Sequence, residues 1–96
     1  MFVTIKKSNL RDKKMMAIFY DINNNKIKTV HFGANGYSDY TIHKDPERKK
    51  RYIERHERNE DWNNPMSAGA LSRYILWNKP TKTESIKDYK NKFGIY

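Results

Sequence analysis

The stretch that decides the fold is Met15-Met16-Ala17-Ile18-Phe19-Tyr20-Asp21, then Ile22 and Asn23-Asn24-Asn25, then Lys26-Ile27-Lys28-Thr29-Val30-His31-Phe32. The first run is almost continuously apolar. The second sets Ile27, Val30 and Phe32 among polar residues. Both are short and rich in β-branched and aromatic side chains, which suits strands better than helices of that length. Asparagine tolerates positive φ, so the three asparagines between the runs read as a hairpin turn. Upstream, Phe2–Lys6 alternates weakly and supplies a third strand. Downstream, Gly33-Ala34-Asn35-Gly36 is expected to break the sheet.

Helix signals dominate the remainder. Asp45 is placed to cap a helix that opens on Pro46 and Glu47 and is expected to run to about Arg58. A second helix is expected after Pro65, from about Met66 to Trp77, with Leu71, Tyr74, Ile75 and Asn78 on one stripe. A third begins after Thr81, whose spacing to Glu84 is that of a capping box, and ends near Phe93 with Gly94 as the stop. The order predicts an α+β fold: a small antiparallel sheet of about three strands, followed by three helices packed against it. Residues 1–96 are read as a single basic domain, with a β part at 1–32 and a helical part at 45–93.

The chain has 96 residues, of which 36% are hydrophobic and 32% charged. That length allows one domain with a thin core. Its 14% aromatic content sets it apart from disordered chains of similar charge. With no cysteine, disulfides, thiol nucleophiles and thiolate metal sites are excluded. The first residues lack a long apolar run and position 2 is Phe2, so neither a secretion signal nor myristoylation is expected. Neither is membrane insertion.

Twenty Lys and Arg against eleven Asp and Glu give a net charge of +9. Residues 1–14 carry +4, 44–58 carry +3 and 79–96 carry +3, whereas 15–43 are neutral and 59–78 carry −1. Three separated basic segments around a near-neutral core point to an anionic partner. In the Asp45–Arg58 segment, Arg48, Arg51, Arg55 and Arg58 are spaced 3, 4 and 3 apart and fall along one helical face. Guanidinium groups in a row suit phosphate oxygens. The opposing reading is a solvated helix, because Glu47 and Arg51, and Glu54 and Arg58, are each spaced i,i+4 for neutralisation. Lys49 and Lys50 add to the row. Lys6, Lys7, Arg11, Lys13 and Lys14 straddle the first strand connection and form a second phosphate-binding candidate.

Other constellations are weaker. His31, His43 and His56, with Asp39 or Asp45, lack the spacing of familiar zinc sites. Asp39, His43, Asp45 and Glu47 only loosely suggest a metal nuclease, since Asp45 reads as a cap and Glu47 as a first-turn acid. No cofactor, metal or catalytic residue is assigned, and no enzymatic activity is expected. Gly33 and Gly36 fit a turn better than a phosphate loop. Tyr37, Tyr40, Trp62 and Trp77 are either core residues or base-stacking platforms. Trp62 either pins the polar connector Asn59–Pro65 or anchors a partner.

A longer resemblance runs through His31-Phe-Gly-Ala-Asn-Gly-Tyr-Ser-Asp-Tyr-Thr-Ile-His-Lys-Asp45, Arg48-Lys-Lys-Arg-Tyr52, Trp62-Asn-Asn-Pro65 and Gly69-Ala-Leu-Ser-Arg-Tyr-Ile-Leu-Trp-Asn-Lys-Pro80. It is similar to a family of small basic proteins of nucleocytoplasmic large DNA viruses, the giant viruses. The resemblance implies no activity and no catalytic residue. It implies a virion or viral-factory location in the host cytoplasm, and two roles. The first is nonspecific binding and compaction of double-stranded DNA; the thin core separately predicts a homo-oligomer that would join basic faces and bridge DNA. The alternative is a minor capsid or other structural protein acting on other virion proteins.

Overall fold

A computed structural model describes residues 1–96 as three strands followed by helices. Strands β1 (Phe2–Lys7), β2 (Lys13–Tyr20) and β3 (Lys26–Ala34) form an antiparallel sheet in the order β1-β2-β3. Helices α1 (Tyr40–His43), α2 (Pro46–His56), α3 (Ala68–Leu71) and α4 (Lys82–Phe93) follow, and α3 continues as a π turn over Ser72–Leu76. The fold class is therefore α+β, as the residue pattern predicts.

β2 is the central strand, and Met15–Phe19 are buried on both of its faces, which explains why it is apolar along its length rather than alternating. Met15, Ala17 and Phe19 face a core shared with Val3 and Phe32 of the sheet and with Leu71, Ile75, Leu76, Tyr89 and Ile95 of the helical part. Met16 and Ile18 are also buried but lie outside that cluster. Their cross-strand partners are Lys6 and His31, and Thr4 and Thr29. The β2–β3 turn is organised by Asp21, whose Oδ1 accepts the backbone N–H of Asn23 and of Asn25, each at 2.9 Å. Asn24 takes the positive φ of 67° that asparagine tolerates.

The break expected over Gly33–Gly36 falls in its second half, where β3 ends at Ala34 and Asn35 and Gly36 turn the chain. β3 continues through Gly33 and Ala34, and Lys13 pairs with Ala34. Gly33 has a φ of +79°, and a Cβ there would lie 2.6 Å from Leu76 Cδ1. The glycine lets the π turn approach the strand rather than ending it.

The helical expectations hold at the caps and fail at some ends. Asp45 caps α2 through the Glu47 N–H at 3.0 Å, and Thr81 caps α4 through the Glu84 N–H at 3.2 Å. Gly94 stops α4 with a φ of 64°. However, α2 ends at His56, so Arg58 lies beyond it. The second expected helix starts at Ala68, after the Ser67 cap, and is not α-helical to Trp77. The Trp77 N–H reaches back to Ser72 O, which is an i→i+5 bond. That widened turn brings both Ile75 and Leu76 into the core. The four-residue helix α1 was not expected, and it arises because Asp39 caps it through the Thr41 N–H at 2.9 Å.

α3, the π turn and α4 supply helical residues to the shared core, but α2 supplies none. Its one buried residue, Tyr52, packs instead on Trp77. No helix is long and apolar enough to cross a membrane.

Replacing Gly33 with Ala is expected to lower unfolding free energy by about 1–3 kcal/mol, through positive-φ strain and the clash with Leu76. A shifted urea midpoint at unchanged slope is the measurement.

Candidate nucleic-acid interface

α2 has little apolar surface with which to hold its place. A column of rings supplies the attachment. His56 stacks on Tyr52 with centroids 4.2 Å apart and planes at 24°, and Tyr52 stacks on Trp77 at 4.2 Å and 4°. Trp77 then meets His43 of α1 at 5.3 Å. Two cations reinforce the junction by satisfying free carbonyls after the π turn. Lys49 Nζ donates to Asn78 O at 2.7 Å, and Arg73 Nη1 donates to Trp77 O at 2.7 Å.

This attachment sets α2 across from the end of β3, and a groove of about 590 Å³ separates them. Arg48 and Arg55 line one wall, while Lys13 and Lys14 rise from β2 on the other side. His31, His56, Asp39 and Glu60 also border it. The two carboxylates are already engaged. Asp39 is 1% exposed, pairs with Lys14 Nζ at 2.6 Å and accepts from the backbone and hydroxyl of Thr41. Glu60 accepts from Trp62 Nε1 at 2.9 Å and bonds His56 Nδ1 at 3.0 Å. Lys13, Arg48 and Arg55 make no ion pair and leave the groove positive.

The remaining candidate cations are distributed as follows. Lys50, Arg51 and Arg58 are exposed, and neither Glu47 with Arg51 nor Glu54 with Arg58 closes to ion-pair distance. The neutralisation suggested by their spacing is thus not made. Arg51 and Arg58 do not line the groove. Lys7 borders a second hollow of about 410 Å³, together with Lys14 and Lys82. Lys6 and Arg11 are exposed but border neither hollow. Lys49 is half-buried, with its Nζ 5.0 Å from the Tyr40 ring centre, and burial holds its pKa below the usual lysine value. Lys49 and Lys14 are therefore committed to internal contacts.

The aromatic alternatives also separate. Trp77 belongs to the ring column, and Trp62 pins the connector through Glu60 while the Arg73 guanidinium lies 5.5 Å from its ring centre. Tyr37 is 74% exposed. The histidines and acids gather into no group of three or more that could hold a metal ion. The pairing of Lys14 with Asp39 spans 25 residues and carries no local sequence signal.

A family match covers residues 3–56, more than half of the chain. The chain belongs to a family of unknown function, DUF5754. The DUF5754 segment takes in nearly all of β1, then β2, β3, α1 and α2, and with them Lys13, Asp39, Arg48 and Arg55. Trp77, on which Tyr52 stacks, lies outside it. No curated protein and no solved structure matches the chain.

Two expectations follow for this junction. Replacing Tyr52 with Ala removes the only buried side chain of α2 and should cost about 2–4 kcal/mol in a denaturant titration, a range below that for fully buried aromatics. The second concerns His43. Its Nδ1 accepts the Asp45 N–H at 3.0 Å, which places the proton of the neutral ring on Nε2, a buried atom with no partner. Burial, followed by Arg48, lowers its pKa from the ordinary 6.5, against the smaller opposing pull of Asp45 and Asp39. Because the folded state favours the neutral ring, this stability is complete above pH 6.5 and is lost as pH falls through the lower folded value. An NMR titration should put the His43 midpoint below 6.5; a midpoint at or above it would contradict this account.

Proposed function

We propose that this protein binds nucleic acid without sequence selection, through phosphate contacts, and that its principal ligand is double-stranded DNA. The observation that carries this reading is the convergence of Lys13, Arg48 and Arg55, from segments far apart in the chain, on one groove where none is paired with a carboxylate. Lys50, Arg51 and Arg58 extend the positive surface along and beyond α2. Phosphate contacts of this kind fix position on a polyanion and carry no sequence information. Affinity then arises mainly from counterion release.

The resemblance to small basic proteins of large DNA viruses supports a viral genome as the polyanion. Compaction follows if copies self-associate and bridge separate stretches of duplex. The reading is one of binding, with no catalytic step.

A gel-shift salt titration on unrelated duplexes tests it. Log affinity should fall linearly with log salt and hardly change with sequence. The double variant Arg48→Gln/Arg55→Gln should make the salt slope shallower by about 2, since each lost phosphate contact removes about 0.9. Salt-independent binding, or no binding at low salt, overturns the proposal.

A further inference from the structure

Tyr37 stands where the two basic hollows meet. Both are lined by Lys14, Tyr37 and Asp39; on one side lie Lys13, Arg48 and Arg55, and on the other Lys7 and Lys82. Among the shared residues, Lys14 and Asp39 neutralise one another at 2.6 Å, so the unpaired cations belong to one hollow or the other. Tyr37 is 74% exposed, which at a loop tip alone would mean little.

Its loop, however, is held. The Tyr37 N–H reaches Ala34 O at 3.4 Å, and the Asn35 N–H reaches Asp12 O at 3.0 Å. Asn35 Nδ2 donates to Arg11 O at 2.7 Å, and Gly36 turns the chain with a φ of +89°. The ring is thereby carried on a segment tied to the basic β1–β2 connection.

We infer that Tyr37 is a base-stacking platform for a single-stranded segment of nucleic acid, whose backbone crosses from the Lys7 and Lys82 hollow to the Arg48 and Arg55 groove. The inference rests on the phosphate-binding reading above and adds to it a contact that only unpaired bases can make. In a duplex, base faces are occupied by their stacked neighbours, whereas a single strand offers them to an aromatic ring. Two basic hollows that share one ring call for at least two phosphates flanking a base, which a mononucleotide does not supply. An acidic peptide would meet the charge but present no such flat face to the tyrosine.

The experiment is fluorescence anisotropy on three labelled probes: an oligothymidylate of roughly 12 nucleotides, an abasic oligomer of equal length, and a duplex. Tyr37→Ala should weaken oligothymidylate binding about tenfold, within the range for loss of one base stack. It should leave the abasic and duplex affinities unchanged, and Tyr37→Phe should behave as the wild type. Because Tyr37 is largely exposed, these variants should keep their fold, which thermal unfolding checks. If Tyr37→Ala binds oligothymidylate as tightly as the wild type, the platform is overturned and the phosphate reading stands. If the wild type binds none of the probes at low salt, both fall.

Discussion

The stacking of Tyr52 on Trp77, in near-parallel planes, is the constraint on which the candidate interface depends. The sheet, α3, the π turn and α4 share a hydrophobic cluster, but α2 contributes nothing to it. Helix propensity and a good cap can form α2, but they cannot set its orientation. The ring column, with Lys49 reaching Asn78 O, provides that orientation. Without it the arginines of α2 would be charges on a helix free to swing. With it, Arg48 and Arg55 are held opposite Lys13 across a defined groove.

Much of the fold is legible because its signals are local. Asp45, Pro46, Thr81 and Gly94 act within one helical turn of themselves, and each does in the structure what its residue type suggests. The Asp21–Asn25 turn is equally self-contained. The misreadings concern positions decided by distant partners. The sheet does break within Gly33–Gly36, but Gly33 itself stays in β3, and Leu76, far along the chain, needs the space its missing Cβ leaves. The π turn likewise satisfies a core that accepts Ile75 and Leu76 side by side, and no periodicity in that segment announces it. Helix α1 is one turn long and depends on Asp39, whose other oxygen is held by Lys14.

The site was legible to a lesser degree. Spacing puts Arg48, Arg51, Arg55 and Arg58 in a row, yet only Arg48 and Arg55 line the groove, and Arg58 lies past the helix end. These two arginines are seven residues apart, a rise of roughly 10.5 Å along an ideal helix. Adjacent lysines also diverge in a way composition conceals. Lys49 turns inward to a carbonyl while Lys50 stays in solvent, and Lys14 is tied to Asp39 while Lys13 remains unpaired. What separates them is which side of the element faces the protein. The pattern of bases alone does not contain that information, because the burying partners come from other segments.

The distribution of charge, though not its total, has a structural cause. Many of the acids are used where a carboxylate organises backbone or fixes a neighbour. Asp21 holds a turn, Asp39 caps α1 and Asp45 caps α2. Asp61 bonds the Asn63 N–H, Glu60 is held by His56 and Trp62, and Asp88 accepts from Asn78. The carboxylates best placed to quench the α2 arginines, Glu47 and Glu54, form no pair with them, and an exposed i,i+4 pair would gain only ~0.3–0.5 kcal/mol by closing. A carboxylate bonded to backbone N–H keeps its charge, so the net +9 is set by composition, while the caps and turns fix where the negative charges sit. At the groove, Asp39 is matched by Lys14, and Lys13, Arg48 and Arg55 are left without a carboxylate partner.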